Sequence, residues 1–220
     1  MKKNIQIENK NVTIYYREYK ENKLPVIILN TYGEDGEDIW SKTKENNYIL
    51  VTISNLDWNN NLSPWPIENF NGNADDYIKI LESIIIPRID EMINKELKLN
   101  IKNHIIGGYS LAGLFAIYSL YKTDLFESAL SCSGSLWYPD LIKYIELNKM
   151  IKKPNKIYFS LGNKESKTKN ELMSKVEENT KYIENYYKEK KIETIYEENE
   201  GNHFKEVTER IVKGINWILK

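Results

Sequence analysis

The sequence holds one cysteine, Cys132, so no internal disulfide can brace it; the residue sits in the small-residue run Ser131 to Gly134 and reads as a small buried hydrophobe. Histidine is almost as scarce, at His104 and His203, which leaves general-base chemistry few places to reside. Long apolar runs are missing too. Nothing approaches the roughly 18 residues of a membrane span, and Met1 to Lys10 mixes charges with isolated isoleucines instead of forming a signal peptide. A cytoplasmic protein with no membrane partner is expected. Excess charge of one sign is also missing: the formal net charge is -1, so no basic field draws in nucleic acid or anionic lipid.

Against those absences stand 41 % hydrophobic and 12 % aromatic residues among 220, enough to bury a core in one domain spanning residues 1–220. Short runs rich in apolar and small residues, at Val26 to Leu29, Tyr48 to Ile53, His104 to Gly108, Ser128 to Cys132 and Ile157 to Leu161, alternate with segments of helical period. Strands covered on both faces read this way, so the class is α/β, with a mostly parallel central sheet and helices on both faces. Tyr77, Ile80, Leu81, Ile84, Ile85, Ile89, Met92 and Ile93 form one helix face, with Pro87 expected to kink it. A second helix is expected to start near Thr168, where Thr168-x-x-Glu171 has capping-box spacing, with Leu172 and Met173 on its buried face. A last helix is expected to carry Phe204, Val207, Ile211, Ile215 and Ile218 on one stripe. Residues 4–8 and 11–19 predict an antiparallel N-terminal hairpin around Asn9 to Asn11, and Ser54 to Asn73 lacks periodicity.

The run His104 to Leu114 passes from a buried strand through Gly108-Tyr109-Ser110-Leu111-Ala112 into a helix. Small residues two before and two after Ser110 let strand and helix approach closely while the serine is held strained and exposed, the context of a nucleophile elbow. The usual second glycine is replaced by Ala112, followed by Gly113, which still meets the steric demand. The helix N-terminus aims the Leu111 N–H at an anion forming on a substrate carbonyl, and the loop after Leu29 offers the Tyr32 N–H as the other half of an oxyanion hole.

A serine hydroxyl needs a base, and histidine suits the task near neutrality. His104, six residues before Ser110 on the same strand, reads as structural; His203 lies in a turn before the last helix and is the candidate base. The acid that fixes its tautomer is expected between the two in chain order, and Glu165, just after the Ile157 strand, is the candidate, with Asp140 and Glu200 as substitutes.

Gly-Tyr-Ser-Leu-Ala-Gly-Leu-Phe-Ala at 108 to 116, Ser-Gly-Ser-Leu-Trp at 133 to 137, Leu-Gly-Asn-Lys-Glu at 161 to 165 and Gly-Asn-His-Phe at 201 to 204 resemble the putative esterase family, which includes esterase D and the enterochelin-type siderophore esterases. The resemblance covers roughly residues 24 to 220. It implies an α/β-hydrolase fold, no metal and no cofactor, and hydrolysis of a small-molecule ester through an acyl-enzyme, with Ser110 as nucleophile, His203 as base and Glu165 as acid. Asn30-Thr31-Tyr32-Gly33 departs from the His-Gly or Asp-Gly pair of many relatives.

Trp137 and Tyr138 follow one strand, and Trp58 and Trp65 lie in the aperiodic stretch, so these four are the candidate substrate-binding aromatics. A ferric trilactone siderophore is strongly anionic, whereas the arginines are only Arg17, Arg88 and Arg210, which weighs against that substrate. An acyltransferase would use the same serine, and a catalytically silent scaffold would be expected to lack a triad residue.

Overall fold

The computed structural model describes residues 1–19, 23–33, 36–45 and 47–220. Its centre is an eight-stranded sheet in the order β1-β2-β4-β3-β5-β6-β7-β8. The strands are β1 (Lys2–Ile7), β2 (Lys10–Tyr15), β3 (Lys23–Asn30), β4 (Ile49–Ser54), β5 (Asn100–Tyr109), β6 (Phe126–Cys132), β7 (Lys156–Gly162) and β8 (Glu193–Asn199). β1 and β2 form the antiparallel hairpin at one edge, turning through Glu8 and Asn9, both at positive φ, which is the turn whose twist suits a two-residue hairpin. From β4 to β8 every neighbouring pair is parallel.

Parallel strands need crossover helices, and these cover both faces. α1 (Gly36–Lys42) and α8 (Val207–Ile218) lie on one, packing Ile39, Trp40, Ile211 and Ile215 against Ile27, Leu29, Leu50 and Tyr158. The opposite face takes α3 (Ala74–Ile80), α4 (Ile86–Glu91), α5 (Leu111–Ser119), α6 (Leu141–Leu147) and α7 (Val176–Glu189), with short α2 (Trp58–Asn61) beside α3. Alternate residues of β3 serve the two cores, Val26 and Ile28 one and Ile27 and Leu29 the other, all fully buried. At about 1.5–3 kcal/mol per buried aliphatic side chain, these two layers supply most of the drive to fold. α3 and α4 are joined by a π turn, Leu81–Ile85, whose Ile86 N–H reaches back to Leu81 O. Pro87, in the first turn of α4, has no N–H for the ordinary ladder, so the wider turn accommodates it.

Three boundaries differ from expectation, the first being β2, which ends at Tyr15 instead of running to residue 19. Asn170 Oδ1 accepts Met173 N–H and caps only a short 3₁₀ turn, Met173–Lys175, so α7 begins at Val176, and Leu172 and Met173 are exposed. Likewise α8 begins at Val207, and Phe204 lies outside it, 83 % exposed. Among the described residues no helix is long and apolar enough to cross a membrane.

Candidate active site

The register of the sheet decides what meets what. Asn30 pairs with Gly108, Tyr109 with Cys132, Cys132 with Ser160 and Gly162 with Asn199, so the carboxyl ends of five strands are level. The segments that follow them, carrying Thr31 and Tyr32, Ser110, Ser133 to Trp137, Glu165, and His203, therefore gather along one edge. Chain order reverses between β3 and β5, the crevice in which open α/β sheets present their ligand sites.

Ser110 sits at φ 58°, ψ −123°, a strained conformation for a residue with a side chain. The corner is held by backbone bonds: Ser110 N–H donates to Cys132 O at 3.0 Å, and Ser110 O accepts the N–H groups of Gly113 and Ser135, each at 3.0 Å. Gly108 is required beneath it, since a Cβ there would stand 2.3 Å from Ala112 Cβ. That contact also explains why a methyl group is tolerated at 112 only opposite a glycine.

Ser110 Oγ lies 3.0 Å from His203 Nε2, and His203 Nδ1 lies 2.7 Å from Glu165 Oε2. The Glu165 side chain is 3 % exposed. Burial pushes its carboxyl up, but hydrogen bonds from His203, the Gly162 N–H and Ser133 outweigh that and hold it below the ordinary carboxylate value. An ionised carboxylate only accepts, so His203 Nδ1 carries the proton and Nε2 is left to accept the Ser110 hydroxyl. Asp140 and Glu200 are not part of this group: Asp140 is exposed at the start of α6, and Glu200 is exposed and paired with Lys205. His104 Nε2 meets Asp90 on α4 at 2.9 Å, far down the same strand from the elbow.

Leu111 N–H donates to no acceptor among the described residues, and neither does Tyr32 N–H, while the Tyr32 ring is 83 % exposed and edge-on to Trp58. Two clefts flank the Ser110–His203 pair, and Phe204 borders both. One, about 340 Å³, is walled by Leu29, Ile39, Trp58, Tyr109, Val207 and Ile211. The other, about 480 Å³, is walled by Ser135, Trp137, Lys164, Lys167, Thr168 and Met173. Of the four candidate aromatics, Trp58 and Trp137 line these clefts. Tyr138 and Trp65 do not: Tyr138 is buried with its hydroxyl on Trp65 O, and the Trp65 ring packs against Tyr118, Tyr138 and Tyr144 with its indole N–H on Pro139 O. Each ring finds a backbone carbonyl for its polar atom, Trp65 O for the Tyr138 hydroxyl and Pro139 O for the Trp65 indole, so both pack against the core instead of the clefts.

Sequence reasoning missed Arg210, Ser133, Tyr109, Ser135 and Phe204. Arg210 is the one with a readable signal: a chain with only three arginines places one of them in the helix just after His203.

The fold is that of the α/β hydrolases. Residues 9–207 match the putative esterase family, and the chain belongs to it. Among solved structures it is similar to an IroE-like serine hydrolase from Shewanella oneidensis, at TM-score 0.77 and 18 % identity over 99 % of this chain and 79 % of that one. It is also similar to the siderophore hydrolase EstA from Aspergillus nidulans, at 0.71 and 13 % over 99 % and 93 %, and to enterochelin esterase from Shigella flexneri, at 0.70 and 15 % over 100 % and 58 %. At such identities the likeness extends to the fold. The chain matches none of the curated proteins compared with it by sequence.

Proposed function

We propose that this protein is a serine carboxylesterase in which Ser110 attacks the ester carbonyl, His203 is the base and Glu165 orients it. The observation that carries this reading is the unbroken chain of contacts from Ser110 Oγ to His203 at 3.0 Å and on to Glu165 at 2.7 Å, on a strained elbow between two clefts. The Ser110 proton passes to His203 Nε2 as Oγ bonds to the carbonyl carbon. The resulting oxyanion is received by the Leu111 and Tyr32 N–H groups. Collapse expels the alcohol, protonated by His203, and leaves an acyl-enzyme that water opens by the same steps. Glu165 stays ionised throughout and holds the imidazole tautomer.

The clefts give this reading a substrate shape. The smaller one is apolar and suits an aliphatic or aryl half of an ester, whereas the larger combines Trp137 with Lys164 and Lys167. Those lysines favour a second reading, a trilactone siderophore substrate, because they supply cationic groups that the scarce arginines do not; the similarity to siderophore hydrolases agrees with it. The test is turnover of a panel of acetyl, longer acyl, aryl, thioester and trilactone substrates by the native protein and by Ser110→Ala. Hydrolysis that vanishes in the variant supports the proposal, and transfer to an added alcohol would redirect it to an acyltransferase. A native protein inert on the whole panel sinks it and leaves a binding scaffold.

A further inference from the structure

Arg210 projects from α8 into the interior beneath the site, and its side chain is 0 % exposed. One corner of its guanidinium, Nη1, lies 2.7 Å from Glu165 Oε1 and 2.9 Å from both Ser133 Oγ and Tyr109 Oη. The other, Nη2, donates to Glu200 O at 3.2 Å and Asn202 O at 3.0 Å, in the segment that delivers His203. Tyr109 closes the circuit by donating to His203 O at 2.7 Å. A buried cation is expensive unless it is paired, and here Nη1 and Nη2 are paired while Nε has no partner among the described residues, so a site that retains the group needs its particular geometry. A lysine cannot make these contacts, since its ammonium is a point charge without the planar fork. The backbone yields to the same group: a Cβ on Gly162 would stand 2.6 Å from Arg210 Nη2 and 2.3 Å from Gly201 O.

We propose that Arg210 is a positioning residue for the esterase reaction: its fork locks the Glu165 carboxylate to the loop carrying His203 and compensates the carboxylate charge. This inference rests on the esterase reading above. Glu165 uses one oxygen, Oε2, for His203, while Oε1 is tied to Arg210, Ser133 and the Gly162 N–H. The acid is thus fixed in rotation and cannot turn away from the imidazole. Its negative charge is offset by the guanidinium on the side away from the imidazole.

The other ionisable groups around the pair are Tyr109 on β5, Cys132 on β6 and Tyr196 on β8, all pushed up by burial and neutral across the working range. Further out, Lys164 and Lys167 line the open cleft, Glu200 pairs with Lys205 and Glu197 with Lys213. Arg210 is therefore the cation in direct contact with Glu165.

The experiment compares kcat, KM and the acid limb of kcat/KM for the native enzyme, Arg210→Lys and Arg210→Met, with near-UV circular dichroism checking the fold. Removing a buried cation makes proton uptake at the site easier, so the limb of Arg210→Met should move to higher pH by roughly 1 to 3 units. Its kcat should fall at least about tenfold with KM changed less than about twofold, since the geometry of the base is lost and the clefts are not. Arg210→Lys keeps charge without the fork, so kcat should fall while the limb stays near its native position. Should Arg210→Met fail to fold, Glu165→Gln and Glu165→Gln/Arg210→Met replace it, because the double variant strands no buried charge. The limb of the double should then lie above that of the single. Limbs that coincide in either comparison, in proteins that remain active, overturn the inference and leave the esterase reading intact; loss of all native turnover overturns that reading instead.

Discussion

Glu165→Gln tests how deeply the candidate acid is built into the fold. In a solvated turn the exchange would leave stability unchanged. Here the carboxylate is 3 % exposed and its partner Arg210 is 0 % exposed, so the substitution strands a buried guanidinium. Breaking a buried pair by removing one partner costs about 3–5 kcal/mol. The lower end applies, because Arg210 retains Ser133, Tyr109 and the Glu200 and Asn202 carbonyls, and a glutamine oxygen can still accept. For a chain of this size about 3 kcal/mol corresponds to a fall in Tm of about 6 to 12 °C, read by calorimetry near neutral pH. Adding Arg210→Met should restore at least half of that loss, since no charge is then stranded. A Glu165→Gln protein that melts within about 2 °C of the native one would refute the reasoning about the buried pair.

The same pair has a pH signature. Glu165 is held below its ordinary 4.5, so its contribution to stability is complete above that value and is lost as pH falls through the lowered one. The gap in stability between the native protein and Glu165→Gln should therefore narrow between about pH 6 and about pH 3 in urea titrations; a gap that widens contradicts the assignment. Gly108→Val should abolish activity and destabilise by about 1–3 kcal/mol, because its first carbon already meets Ala112 Cβ at 2.3 Å. Trp58→Ala and Trp137→Ala should raise KM for different ester series, acyl in one and alcohol in the other, whereas Trp65→Ala should cost about 3–5 kcal/mol of stability with KM unmoved. Cys132 is fully buried and its thiol is pushed up to about 12, so a disulfide reagent at mildly alkaline pH should modify it only on unfolding.

The strands were legible because residues covered on both faces leave nearly continuous apolar runs, as in Val26 to Leu29, and the hairpin because Asn9 tolerates the left-handed turn. Ser110 and His203 were legible from the elbow motif and the turn before the last helix, and Glu165 as the first of three candidate acids, because level strand ends force the loops that follow onto one edge. The start of α7 was misjudged because Thr168 and Glu171 fit a capping box, while the Asn170 side chain captures Met173 N–H first. Phe204 has the right spacing for the α8 stripe yet lies before the helix, so periodicity alone placed it in the core. Arg210 escaped for the opposite reason: an arginine on a helix reads as a wet residue, and its burial depends on three loops brought together from distant sequence. Trp65 and Tyr138 lie near the strand ends, but their ring packing and their bonds to the Pro139 and Trp65 carbonyls hold them against the core, which composition cannot foretell.

An active-site fluorophosphonate followed by peptide mass spectrometry tests whether Ser110 is the reacting hydroxyl. One covalent adduct is expected on the peptide carrying Ser110, formed in step with loss of ester turnover and strongly slowed in His203→Ala. An adduct at another residue, or full labelling of Ser110 with turnover undiminished, would contradict that assignment.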